Sequence, residues 1–114
     1  MDDELLYEAR ARVLRDLEAR HRASPTAVSA LEDAVAARAW WISQWPAGRL
    51  YIAGLVAQDV QDALASEGRW PVCLHCEIEH SLYISPDLGG PDPVWVCEET
   101  GTVVAPLGRL LGAV

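Results

Sequence analysis

Four potential metal ligands lie close together in the C-terminal part of this chain of 114 residues. They include every cysteine of the sequence, in the pattern C-x2-C-x3-H-x16-C formed by Cys73, Cys76, His80 and Cys97. Three thiolates and one imidazole are a complete tetrahedral ligand set for Zn²⁺. A closed set of protein ligands is typical of a structural site, because a catalytic zinc keeps one position open for water or substrate. The sequence therefore predicts a structural zinc ion and no catalytic residues.

The number of cysteines also favours a metal over disulfides. A disulfide framework would leave one of the 3 cysteines unpaired, whereas three thiolates and a histidine complete a zinc site. The sequence does not open with a basic and then apolar signal segment, and no apolar run approaches the roughly 18 residues that a membrane span needs. We therefore expect a cytoplasmic protein that does not enter a membrane.

The charge of the chain limits its partners. A formal charge of -8 at pH 7 argues against binding to nucleic acid or to an anionic membrane, since both require a basic surface. Nucleic-acid binding by a zinc ribbon stays open as a less favoured alternative, because five arginines cluster along the first predicted helix and directly after it. They are Arg10, Arg12, Arg15, Arg20 and Arg22.

The N-terminal part of the sequence predicts three helices. Residues 2–21 form the first, because their apolar side chains recur every three or four positions. The second follows Ser24 and Pro25, a pair typical of an N-cap and a first helical residue, and ends at Trp45, which precedes a proline. Ser29 and Glu32 offer an alternative capping box for this helix.

The third predicted helix spans residues 49–67, with Gly68 as the residue just beyond its C-terminus. Each helix carries one apolar stripe, and the stripes predict the core of the helical region. The stripes consist of Leu5, Leu6, Ala9, Val13, Leu14 and Leu17, then Val28, Leu31, Val35 and Ile42, then Ile52, Val56, Val60, Ala63 and Leu64.

Beyond Gly68 the pattern changes to short apolar strands separated by turn residues. Strands are predicted at 81–85, 94–97 and 102–105, with a Gly/Pro-rich loop at 86–93. Such an antiparallel meander returns Cys97 toward Cys73 and Cys76. The predicted fold is therefore α+β, with a helical region at 1–68 and a zinc-ribbon-like β module at 69–114, joined in one compact unit.

Several residues near the predicted site have more than one interpretation. His75 either replaces His80 as a ligand or faces solvent, and its place between two cysteines favours solvent. Four glutamates are expected to form a solvated rim: Glu77, Glu79, Glu98 and Glu99. The tryptophans are expected to pack the joint between helices and β module, since they are large enough to dominate a small core. They are Trp40, Trp41, Trp45, Trp70 and Trp95.

About a third of the chain resembles a known kind of protein. The stretch from Trp70 to Leu110 has Trp-Pro-x-Cys ending at Cys73, His-Ser-Leu from His80, Trp-Val-Cys ending at Cys97 and a closing Gly-Thr-Val-Val-Ala. It resembles the small zinc-ribbon-like proteins of actinobacteria and their phages. The resemblance implies the same four zinc ligands but no activity. A usual two-knuckle ribbon has a further cysteine where this chain has Thr100, so His80 is needed as the fourth ligand.

These observations predict a small non-enzymatic module for assembly or protein binding, held in shape by structural zinc. We expect its partner, or a second copy, to contact the N-terminal helices, although the stripe of the first helix can equally pack within its own chain. The alternative is a thiol–disulfide redox protein that uses Cys73 and Cys76. Against it, a redox C-x-x-C belongs at a strand-to-helix junction of a βαβ fold, and this one follows helices and precedes a hairpin.

Overall fold

Three helices precede a small antiparallel sheet in the computed structural model, which describes residues 2–87 and 90–112. The helices are α1 (Asp2–Ala19), α2 (Pro25–Gln44) and α3 (Ile52–Leu64), and short 3-10 turns at Pro46–Tyr51 and Ala65–Glu67 flank α3. The strands are β1 (Tyr83–Ser85), β2 (Val94–Val96) and β3 (Val103–Pro106), in the order β1-β2-β3. The α+β fold predicted from the sequence is confirmed.

The start of α2 follows the predicted capping. The Ser24 side chain accepts a hydrogen bond from the amide of Ala27 at 3.1 Å, and Pro25 occupies the first helical position. Both features stabilise the first turn, whose amides otherwise have no partner. The alternative capping box of Ser29 and Glu32 is wrong, because both residues lie inside α2.

The apolar stripe of α1 packs within the chain. Leu6, Ala9, Val13 and Leu17 are buried against α2 and α3 in one continuous core. Leu5 was predicted to share this stripe, but 42% of its surface is exposed. Its neighbour Leu6 occupies the core instead, since adjacent helical residues point about 100° apart.

The sheet adds its inner face to the same core. Ile84, Trp95 and Ala105 lie opposite one another across the three strands, and all are buried. The strands are only three or four residues long. An isolated sheet of this size buries too little apolar surface to be stable alone, so it depends on its contacts with the helices and on other constraints.

The tryptophans divide into two groups. Trp70 and Trp95 are buried and contact each other edge to face at 5.5 Å between ring centroids, as predicted for the joint. The prediction is wrong for Trp40 and Trp45, which are 67% and 48% exposed. Trp41 is partly buried beside them, because two successive helical residues cannot both face the core.

A buried carboxylate joins the two ends of the chain. Asp16, on the core side of α1, is fully buried. One of its oxygens accepts hydrogen bonds from Trp95 Nε1 and the Gly108 amide, both at 2.7 Å, and the other accepts from the Leu110 amide at 3.0 Å. Burial raises the pKa of Asp16, although the three donors favour its ionised form. The sequence analysis did not predict this interaction. The signal for it was an acidic residue, Asp16, within the apolar stripe of the first helix.

Replacing Asp16 with Asn is expected to lower the free energy of unfolding by about 2–3 kcal/mol, because one of the three donors loses its acceptor and meets an amide group instead. Urea denaturation measures the change. Asp33→Asn is the matched control, since Asp33 is exposed on α2. Equal stability of the two variants would show that the carboxylate does not hold the C-terminal segment.

A second prediction concerns Gly48, which is buried beneath an aromatic cluster. A Cβ at this position would lie 2.6 Å from two ring atoms of Trp41 and 2.9 Å from Trp45. Arg38 lies over the Trp41 ring and also binds Asp59, which limits the room for that ring to move. We expect Gly48→Ala to cost about 1–3 kcal/mol of stability through overpacking. Ala47→Ser, at the exposed neighbouring position, is expected to change the unfolding midpoint little.

Candidate metal centre

The four predicted ligands meet at one point of the fold. The ligand atoms of Cys73, Cys76, His80 and Cys97 all lie within 4.8 Å of one another, although the residues come from two separate stretches of chain. Cys73 and Cys97 are buried, whereas Cys76 and His80 are half-buried. The prediction that these residues come together is therefore confirmed, and the group can hold a metal ion.

The separations between ligand atoms suit a tetrahedral metal. The Cys97 sulfur lies 3.8 Å from that of Cys73, 3.6 Å from that of Cys76 and 3.8 Å from His80 Nε2. Metal–sulfur bonds of about 2.3 Å at tetrahedral angles place two sulfurs about 3.8 Å apart, and a shorter metal–nitrogen bond gives about 3.6 Å between sulfur and nitrogen. A disulfide requires about 2.05 Å, and all three cysteines are free.

A narrow loop positions the first three ligands. Its two ends are tied by an isolated bridge between Val72 and Ser81, and the Cys73 amide donates to the His80 carbonyl at 2.9 Å. The first and third ligands are thereby held opposite each other, with Cys76 at the turn between them. Residues 73–80 contain no helix or strand. This loop therefore has few backbone interactions of its own to fix its shape.

A tight turn after β2 positions Cys97. Its carbonyl accepts a hydrogen bond from the Gly101 amide at 2.8 Å, and its amide donates to the Thr102 carbonyl at 2.9 Å. The Thr100 hydroxyl, with the amides of Thr100 and Glu99, lowers the pKa of Cys97 to about 6. Thr100 stands where the two-knuckle pattern has a further cysteine, and within the turn its hydroxyl also donates to the Thr102 hydroxyl at 2.9 Å and accepts from the Thr102 amide at 3.2 Å.

The other two ligands are oriented by their neighbours. His80 Nδ1 lies 3.1 Å from the Ser81 carbonyl. A proton on Nδ1 satisfies that contact and leaves Nε2 free to bind a metal, as ligating histidines commonly do. Hydrogen bonding to Cys97 raises the pKa of Cys76 to about 12. Without metal, Cys76 therefore keeps its proton and shares it with Cys97, and a metal ion must displace that proton to bind both.

Polar side chains from the helices bind the backbone of the ligand loop. Arg20, directly after α1, donates to the Val72 carbonyl at 2.5 Å. Gln61 of α3 donates to the carbonyls of Trp70 and Leu82, at 3.2 and 2.9 Å. The chain segments just before and just after the loop are thus attached to the helical region. These contacts had no signal in the sequence, because they depend on how α1 and α3 pack.

The remaining residues near the site take the predicted places. His75 is exposed and is not part of the ligand group, which confirms the interpretation that it faces solvent. Glu77, Glu79, Glu98 and Glu99 are also exposed, as predicted for a solvated rim. Of these four, Glu79 forms an ion pair with Arg69 at 3.5 Å.

The fold and the site define a small α+β protein in which a helical bundle carries a β module with a candidate Cys3His metal site. The chain belongs to the family described as a domain of unknown function, DUF8819, whose model matches residues 2–107. The match covers the helices, the sheet and all four ligands. Neither the curated proteins nor the solved structures gave a match to this chain.

Thr100→Val is expected to weaken metal binding about 10-fold, because the variant removes the hydroxyl that stabilises the Cys97 thiolate. A competition titration with a coloured chelator measures the affinity. Thr100→Ser keeps the hydroxyl and is expected to bind metal nearly as tightly as the wild type. Equal affinity for the valine and serine variants would contradict a role for this hydroxyl.

Proposed function

We propose that the protein is a small non-enzymatic binding or assembly module stabilised by a structural zinc ion at Cys73, Cys76, His80 and Cys97. The observation that carries the proposal is the spacing of the ligand atoms, 3.6 to 3.8 Å from the Cys97 sulfur. Three thiolates and an imidazole in a tetrahedral arrangement suit zinc better than harder divalent cations. Four protein ligands leave no coordination position open for a substrate.

The role of the ion follows from what it would connect. It would join the loop of residues 73–80 to the turn that follows β2, and neither segment is fixed by an extended backbone ladder. Binding free energy at such a site is folding free energy, because the unfolded chain does not present the ligands together. We therefore infer that zinc fixes the shape of the β module. The resemblance to zinc-ribbon-like proteins of actinobacteria and phages is consistent with this proposal.

Redox chemistry at Cys73 and Cys76 is disfavoured by the surroundings of the pair. Redox C-x-x-C cysteines owe their reactivity to a lowered thiol pKa, commonly at a helix N-terminus. No helix follows the pair within the described residues 77–87 and 90–112, and the pKa of Cys76 is raised to about 12. Cys97 also lies beside both thiols, which suits a shared ion better than a two-cysteine exchange.

Nucleic-acid binding is disfavoured by the positions of the arginines. Arg10 pairs with Glu32 and Arg15 with Glu8, and the remaining three donate to backbone carbonyls. Those three are Arg12, Arg20 and Arg22. The arginine cluster of the sequence therefore serves mainly to attach α1 to the rest of the chain.

We propose further that the helices contact a partner or a second copy, in the cytoplasm. The stripe of α1 is buried within the chain, so the helical surface left for such contact is aromatic. Trp40 and Trp41 line a groove of about 550 Å³ between α2 and α3. Free cysteines suit a reducing compartment. No helix in the described part of the chain is long and apolar enough to cross a membrane.

Native mass spectrometry of four proteins tests the zinc proposal: the wild type, Cys97→Ser, His80→Ala and His75→Ala. We expect one zinc ion per chain in the wild type and in His75→Ala, and loss of zinc in the other two. The two histidine variants form a matched pair, because His75 lies in the same loop but outside the ligand group. A metal-free wild type with a Cys73–Cys76 disulfide would overturn the proposal in favour of redox chemistry.

A further inference from the structure

Large apolar side chains are exposed around the candidate metal centre. Leu74 is 49% exposed, Ile78 78%, Tyr83 39% and Val103 58%. Leu74 follows one ligand directly, and Ile78 lies two residues after another. Together these four side chains form what we call the knuckle surface. A module of this size has few apolar residues to spare, so a group of exposed ones indicates contact with another molecule.

The strand register places two of these residues on the outer face of the sheet. Tyr83 and Val103 both lie opposite Val96, one on each side of the central strand. The next residues along the strands, Ile84 and Trp95, face the core instead. Val96 itself is buried, so the exposed apolar surface of this face comes from Tyr83 and Val103 on either side of it.

The ligand loop lies next to this face of the sheet. Val96 directly precedes Cys97, whose sulfur is 3.6 Å from that of Cys76. Leu74 and Ile78 flank Cys76 in sequence, so their backbones are held close to the end of β2. The loop and the outer face of the sheet are therefore anchored around the same point.

The charged side chains that residues 70–106 contribute around the knuckle surface are acidic, and Arg69, just before this stretch, pairs with Glu79. From residue 70 to residue 106 the chain has no lysine or arginine. Its carboxylates there are Glu77, Glu79, Asp87, Asp92, Glu98 and Glu99, and all are exposed. A loaded metal centre would add to this charge, since three thiolates more than neutralise a divalent cation. The apolar surface therefore has an acidic border.

We propose that the knuckle surface binds a segment of a partner protein in which apolar residues alternate with lysine or arginine. In an extended segment, alternate side chains point to opposite sides, so one set contacts the knuckle surface, while the long lysine or arginine side chains of the other set extend past the backbone to the glutamates at its border. Charge complementarity directs this choice of partner, because an acidic border repels phosphate groups and favours basic side chains.

A second copy of the chain is a poorer occupant. Most of its arginines donate to groups of their own chain, and its β module repeats the same acidic border. The proposal rests on the proposed function, because zinc is what would hold Leu74 and Ile78 in place. Zinc content and binding must therefore be measured on the same samples.

The probe is a short fluorescent peptide that alternates lysine with valine, and fluorescence anisotropy measures its binding to the zinc-loaded wild type. Matched peptides alternate glutamate with valine, or lysine with serine. We expect binding of the lysine–valine peptide alone, weakening as salt rises. Ile78→Ser and Val103→Ser are each expected to weaken it about 10-fold, the loss of one buried aliphatic contact. Tyr7→Ser is the control, since Tyr7 is exposed on α1.

Several outcomes would overturn the proposal. One is a zinc-loaded wild type that does not bind the peptide, and another is equal binding by the Ile78, Val103 and Tyr7 variants. Binding of single-stranded RNA, or dimerisation that Ile78→Ser abolishes, would assign the surface to a different occupant. A wild type that native mass spectrometry shows to lack zinc would refute the zinc proposal, and peptide binding by that sample would refute the dependence on metal.

Discussion

The buried carboxylate of Asp16 is the interaction on which the arrangement of this protein depends. It is placed by the first helix and satisfied by donors from the second strand and from the C-terminal segment. A carboxylate enclosed without partners would be costly, so its position specifies where Trp95 and the last residues must lie. An apolar contact has no such directional requirement, whereas each of these hydrogen bonds fixes a donor at a set distance from the carboxylate.

The β module is held by two different means at its two ends. At one end Asp16 binds the inward-facing Trp95 and the segment beyond β3. At the other end the four candidate ligands gather, and Arg20 and Gln61 attach the approach to the ligand loop. Three short strands could not fix either end by themselves. The proposed ion and the buried carboxylate thus complement each other, one acting within the module and the other between the module and the helices.

Local patterns in the sequence were enough to predict the helices, the strands and the ligand group. Capping by Ser24, the turn residues between strands and the Cys/His spacing each depend on neighbours along the chain. Packing between distant segments was not predictable in this way. Asp16 meets its donors 79 to 94 positions later in the sequence, and its place in an apolar stripe indicates burial without identifying those donors. The exposure of Trp40 depends likewise on which side of α2 the third helix covers. The division into regions 1–68 and 69–114 stays a prediction.

The edge-to-face contact of Trp70 and Trp95 gives the molecule an internal optical reporter. Both indoles are buried where the β module meets the helices, and the Trp95 ring nitrogen donates a hydrogen bond to the Asp16 carboxylate. Trp70 also directly precedes the segment that leads to the first candidate ligand. Rearrangement of the ligand loop would therefore be transmitted to an aromatic pair shielded from water. This pair is shielded from water, whereas Trp40 and Trp45 are exposed, so the fluorescence emission of the pair differs from theirs. The ordering of the module therefore has a spectroscopic signature of its own.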